Sequence, residues 1–167
     1  MAGRTKKSSD FTKSPSEPPP PLIGALLRVP YEAVREHILD RLHAAGFDDI
    51  DQAHFNVLQY PGPQGRRPSE VTAHARVSKQ AMNYLLNQLE ERGYFERRPD
   101  PDDARSKRIV LTRRGEAVRQ TIRAAVSELE EEWATLLGPK QFATLKRLLQ
   151  ELYEARMQAT SSGEKAE

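Results

Sequence analysis

The sequence predicts a mainly α-helical fold with one small β-hairpin. Three observations predict it. Apolar residues recur at helical spacing in six segments, most of them bounded by a capping residue, glycine or proline. Two strand-like runs, "YFERR" and "SKRIVL", flank "PDPDDA", whose prolines and aspartates are turn formers. The stretch just before that hairpin, "SKQAMNYLLNQLEER", has one apolar and one polar face.

The elements follow in order. Residues 1–21 are rich in Ser, Pro and Lys and almost free of large apolar side chains, so a disordered tail is expected there. From Leu22 to Gly46 the spacing of Leu22, Leu26, Val34, Ile38 and Leu42 is helical. Pro30 lies inside and predicts a kink or break near Val29. Asp51 can cap a short second helix. "YPGPQGRRP" at 60–68 is a loop, and Ser69 is the expected cap of a third helix over "EVTAHA". Arg76, Val77 and Ser78 form a three-residue connection, with Ser78 capping the fourth helix and Gly93 ending it. After the hairpin, Thr112 caps a long helix with the stripe Val118, Ile122, Ala125, Leu129, Trp133 and Leu137. Gly138-Pro139 separates it from a last helix, and residues 158–167 are expected to fray.

Two short helices joined by a three-residue turn make a helix-turn-helix, and a hairpin directly after the second makes it winged. Charge agrees with an acidic partner. Residues 66–114 carry 12 Lys/Arg against seven acids, whereas 22–65 and 115–167 are net negative. On a helix advancing about 100° per residue, Gln80, Asn83, Tyr84 and Asn87 share one face, opposite Met82, Leu85, Leu86 and Leu89. Gln and Asn can pair bidentately with adenine in the major groove, and Lys reaches guanine or phosphate. Ser78, Lys79, Gln80, Asn83 and Tyr84 are therefore candidate contacts to double-stranded DNA. Arg98, Arg105, Lys107 and Arg108 on the hairpin are candidate contacts too. Asp102 and Asp103 sit oddly near phosphate, unless one of them pairs with an arginine and stiffens the loop.

These residues carry a resemblance. "RPSEVTAHARVSKQAMNYLLNQLEERGYFERRPDPDDARSKRIVLTRRG" resembles the MarR (multiple-antibiotic-resistance regulator) family of winged helix-turn-helix transcription factors. The flanking helices extend the likeness over about residues 22–157, read as a single domain. The winged helix-turn-helix would occupy about 51–112, and helices at about 22–46 and 113–157 would form a dimerisation region. The resemblance implies that Asp103 braces the wing and Arg105 enters the minor groove. It implies a homodimeric repressor on an inverted-repeat operator, with Trp133, Leu145 and Leu149 at or near the dimer interface. It also implies a candidate cleft for a small aromatic or anionic effector, near Tyr31, Arg35, His54, Phe55 and Tyr60. "EVTAHA" departs from the family's more usual "ELA" opening of the third helix.

Other classes fit less well. With no cysteine, disulfides, zinc-thiolate sites and thiol redox sensing are excluded. His37, His43, His54 and His74 lack close metal-ligand spacing, so neither a metal nor a cofactor is expected. No phosphate-cradling loop or nucleophile motif suggests an enzyme. No apolar run reaches the roughly 18 residues of a membrane span, and the N-terminus lacks a secretory core, so a cytoplasmic location is expected. A helical protein-interaction module would explain the amphipathic helices but not the arginine-rich hairpin.

Overall fold

The structure, a computed structural model, describes residues 20–58, 65–75 and 78–163. Six helices and one hairpin follow in the expected order. They are α1 (Ile23–Ala44), α2 (Gln52–Leu58), α3 (Pro68–Ala75), α4 (Lys79–Glu91), β1 (Phe95–Asp100), β2 (Asp103–Leu111), α5 (Arg113–Leu137) and α6 (Pro139–Gly163). The mainly α fold with a two-stranded antiparallel wing is as the sequence predicts.

Local chemistry explains most boundaries. Asp51 Oδ1 accepts from the backbone N–H groups of Ala53 (2.8 Å) and His54 (3.2 Å), capping α2. Ser78 Oγ accepts from Ala81 N–H at 3.2 Å, and Thr112 Oγ1 from Gly115 N–H at 3.1 Å. At the end of α4 the Tyr94 N–H reaches Leu89 O and the Gly93 N–H reaches Glu90 O, with Gly93 at φ 74°. That bond pair is the Schellman motif, and it needs a residue free to adopt positive φ. Buried Leu89 and Tyr94 make its apolar lock.

Four expectations change. Helix α1 runs unbroken through Pro30, because the proline falls where α1 is exposed and water can satisfy the freed Leu26 carbonyl. Helix α3 starts at Pro68 rather than after Ser69: proline suits a first helical position, and Glu70 Oε2 reaches back to the Arg67 N–H at 3.0 Å. The strands run into the expected turn, leaving only Pro101 and Asp102 between them. Helix α6 continues past Met157 to Gly163, since Ala, Gln, Thr and Ser do not stop a helix. The tail at 1–19 and most of the 60–68 loop lie outside the described residues.

The core joins Ile38 and Leu42 of α1, Val57 and Leu58 of α2, Val71 of α3, Met82, Leu86 and Leu89 of α4, Ile109 of β2, and Val118 and Ile122 of α5. Burying the apolar face of α4 this way turns its polar face outward. A bridge from Arg66 to Ile109 adds a third backbone partner to the wing. It brings Gly65 so close that a Cβ there would lie 2.6 Å from the Ile109 carbonyl oxygen.

The joint between α1, α4 and α5 is polar. The Tyr94 hydroxyl donates to Asp49, which also accepts from Arg114, and that guanidinium lies 4.4 Å over the Tyr94 ring. Burial first, then the bond to Asp49, pushes the Tyr94 pKa from 10.0 up to about 12. A raised folded-state pKa stabilises fully below the unfolded value and loses that effect as pH rises through the folded one. The melting temperature should therefore fall between pH 10 and 12. Differential scanning calorimetry should show a shallower fall in Tyr94→Phe.

Candidate nucleic-acid interface

Lys79, Gln80, Asn83 and Tyr84 are all exposed along the N-terminal turns of α4. Their first turn holds no acid. The side chains of Lys79, Gln80 and Asn83 are in no hydrogen bond with other described residues. Asn87, on the same face, is occupied: its Oδ1 accepts from Arg97 Nη2 at 2.7 Å, and Arg97 also pairs with Glu90. The free part of the face is thus the N-terminal half.

In the wing, Arg105 and Lys107 are exposed and form no ion pair among the described residues. Arg98 is exposed but pairs with Glu96. Arg108 differs from expectation. Its side chain is 21% exposed and turned inward, with Nε donating to Asp100 (2.9 Å) and Nη2 to Asp102 (2.7 Å). It supports the wing.

The hub of that support is Asp100, which sequence reasoning missed. Its side chain is fully buried and accepts from Arg67 Nε (2.6 Å), Arg108 Nε and the Asp102 backbone N–H (3.1 Å). Burial alone would raise this carboxyl. The bonds from Arg67 and Asp102 and the charges of both arginines outweigh it and hold the pKa below 3.8. A strict two-residue alternation from buried Phe95 would point Asp100 outward. The register shift between Pro99 and Asp100 reverses that parity. The only sequence signal was a third acid among arginines.

The Asp103 carboxylate bonds the backbone and a serine at the tip rather than an arginine. It accepts from the Arg105 backbone N–H (3.0 Å) and from Ser106 Oγ (2.7 Å), and both bonds lower its pKa, the Ser106 bond most. This fixes the backbone from which Arg105 projects. The acid paired with an arginine at the tip is Asp102.

Of the candidate effector residues, Tyr31, Arg35 and His54 have described side chains. Tyr31 and Arg35 stack, the guanidinium 5.5 Å from the ring centroid, and Arg35 also bonds Gln52. His54 is buried against Gln88 and Asp51. The side chain of Phe55 and all of Tyr60 lie outside the described residues. Trp133, Leu145 and Leu149 do meet: with Val34, Val126 and Phe142 they line an open apolar cleft of about 130 Å³ between α1, α5 and α6.

Comparison with known proteins gives this arrangement its context. Residues 48–106, which span α2 to the wing tip, match the MarR family model. That segment is similar to the MarR family. It superposes on apo MarR from E. coli with a TM-score of 0.64 and 26% identity, covering 80% of this chain and 98% of that one. It also superposes on the transcriptional repressor CouR bound to a 23-mer DNA duplex, with a TM-score of 0.63, 26% identity and coverage of 79% and 92%. Among curated proteins it is 33% identical over 88 residues to the HTH-type transcriptional repressor Rv2887 of Mycobacterium tuberculosis. That match spans 53% of this chain and 63% of the relative's length. Rv2887 has been solved in complex with salicylic acid (TM-score 0.58, 28% identity, coverage of 80% and 97%). No helix among the described residues is long and apolar enough to cross a membrane.

Proposed function

We propose that this chain is a sequence-specific DNA-binding transcriptional repressor of the MarR family, working in the cytoplasm. It acts as a homodimer on an inverted repeat and is released by a small aromatic or anionic ligand. One observation carries the DNA reading: Lys79, Gln80 and Asn83, free among the described residues, and exposed Tyr84 line α4 beside a wing whose Arg105 forms no ion pair among the described residues. The DNA-bound CouR neighbour and the repressor relatives support it. Salicylate bound to Rv2887 supports a ligand of that class.

Helix α4 would lie in the major groove, with Ser78 to Tyr84 deepest, while Arg105 enters the adjoining minor groove. Asn83→Ala should cost about 1–3 kcal/mol on a duplex selected by the protein from a random pool, and little on a scrambled duplex. Equal losses on the two, read by fluorescence anisotropy, would remove Asn83 as a base reader.

The wing gives a test of sign. Arg105→Ala should weaken binding and lower the salt slope by roughly one unit or less. Asp103→Ala removes a negative charge near phosphate, so electrostatics alone would tighten binding. The brace requires the opposite, because the freed tip must be ordered again on binding, at about 1–2 kcal/mol per residue. Tighter binding by a folded Asp103→Ala protein would refute the brace.

The dimer reading rests on unpartnered apolar surface. Leu22, Ile23, Leu26 and Leu27 of α1, and Leu145, Leu148, Leu149 and Leu152 of α6, are all exposed in the single chain. Sedimentation at micromolar concentration should give about twice the 18.9 kDa chain mass. A monomer that binds one half-site tightly would contradict it.

A further inference from the structure

His54 is only 1% exposed, and both its ring nitrogens are engaged. The Asp51 backbone N–H donates to Nδ1 at 3.2 Å. Asp51 Oδ1 is also near Nδ1, at 3.0 Å, but already accepts from two backbone N–H groups in capping α2. The Gln88 carbonyl oxygen beside Nε2 can only accept, so a ring proton sits on Nε2. Nε2 donates to Gln88 Oε1 at 3.0 Å. The same amide turns its nitrogen outward, and Gln88 Nε2 donates to the Tyr84 hydroxyl oxygen at 3.0 Å. Arg92 Nη1, 3.4 Å from His54 Nε2, is directed instead at the Asp49 carbonyl, to which it donates at 2.5 Å.

Each link has one donor and one acceptor, so the relay has a direction. It starts at the Asp51 backbone, crosses the core and ends on the exposed face of α4. At that end Tyr84 is 64% exposed and its oxygen is accepting. Its own O–H is left to point outward. A free tyrosine hydroxyl serves as donor or acceptor alike, but this one is committed.

We infer that His54, acting through Gln88, is a positioning residue that presents the Tyr84 hydroxyl as a hydrogen-bond donor to an acceptor atom on DNA. The inference rests on the DNA-binding reading above. Acceptors within its chemistry are purine N7, guanine O6, thymine O4 and phosphate oxygen, while the amino groups of adenine and cytosine are rejected. His54 touches no DNA in this scheme. It fixes which way the Gln88 amide faces.

The relay can be reversed at one link. Gln88→Glu still accepts from His54 but cannot donate to Tyr84, so the tyrosine proton must turn inward. Its added charge also weakens DNA binding, and the Tyr84→Phe background measures that part alone. Binding of the full-length protein is read by anisotropy on the selected and scrambled duplexes. Tyr84→Phe should weaken binding roughly threefold to tenfold. Gln88→Glu should lose affinity in the parent by more than it does alongside Tyr84→Phe. His54→Leu should behave like Tyr84→Phe, and His54→Gln, whose amide N–H can replace Nε2–H, should restore binding. A loss confined to the selected duplex places the acceptor on a base, and an equal loss on both places it on phosphate. Equal Gln88→Glu losses in the two backgrounds, unchanged binding by Tyr84→Phe, or failure of His54→Gln to restore would each overturn the relay. If Asn83→Ala still shows its selective loss, only the relay has failed. A parent protein with no preference between the duplexes overturns the DNA reading and the relay together.

Discussion

Gly115→Ala is expected to destabilise the fold by about 3 kcal/mol, although the same change in an ordinary helix stabilises by roughly 0.5–1 kcal/mol. The sign is decided by space. Gly115 is buried in the first turn of α5, where that helix crosses the end of α4. A Cβ there would lie 2.1 Å from the Tyr94 carbonyl oxygen and 3.0 Å from Leu111 Cδ2. The oxygen is backbone and cannot swing away: it accepts from the Thr112 N–H at 3.0 Å, in the bond that ties the helix start to the wing. Relief would require α5 to shift, pulling Thr112 off Gly93 and Tyr94. For a chain of this size the cost corresponds to a melting temperature lower by about 6–12 °C. An unchanged or higher value by calorimetry would mean that α5 moves freely against the Schellman turn, contrary to the close packing seen.

Asp100→Ala should weaken DNA binding by about tenfold or more, even though it removes a negative charge near the proposed phosphate contacts. Arg67 comes from the start of α3, Arg108 from β2 and the Asp102 N–H from the turn, and all three converge on this carboxylate. Removing it leaves two guanidinium groups without their buried acceptor and frees the tip. Freed arginines would add positive charge at the surface, so a purely electrostatic wing would bind more tightly and with a steeper salt slope. The structure predicts looser binding and a steeper loss than in Asp102→Ala, whose partner Arg108 keeps its bond to Asp100. The carboxylate has a matching acid signature. Its pKa is held below 3.8, so its contribution is intact above that value and is lost as pH falls through the lower folded one. Acid unfolding followed by circular dichroism should begin at higher pH in Asp100→Asn than in the parent. Identical acid transitions would remove Asp100 as the hub.

Much of the wing was legible in outline and not in role. The run of arginines marked a basic hairpin, yet Arg98 and Arg108 are tied to acids while Arg105 and Lys107 form no ion pair among the described residues. Whether an arginine is free depends on which face its neighbours take. Here one register shift beside Pro99 decides that. The effector residues show the same limit. The family resemblance could place Tyr31, Arg35 and His54 on neighbouring elements, but only packing shows His54 sealed into the core behind Gln88.

By itself the sequence determined the elements and the sidedness of α4. Caps, glycines and prolines act through bonds within four or five residues, and helical periodicity sorts Met82, Leu86 and Leu89 from Gln80, Asn83 and Tyr84 whatever the rest of the chain does. Tertiary structure alone decided the long-range pairings: Asp100 with Arg67, Asp49 with Tyr94 and Arg114, and His54 with Gln88. Those bonds join residues 33 to 65 positions apart. Their strength comes from removing charged and polar groups from water together, and no local pattern encodes which partners will be buried side by side.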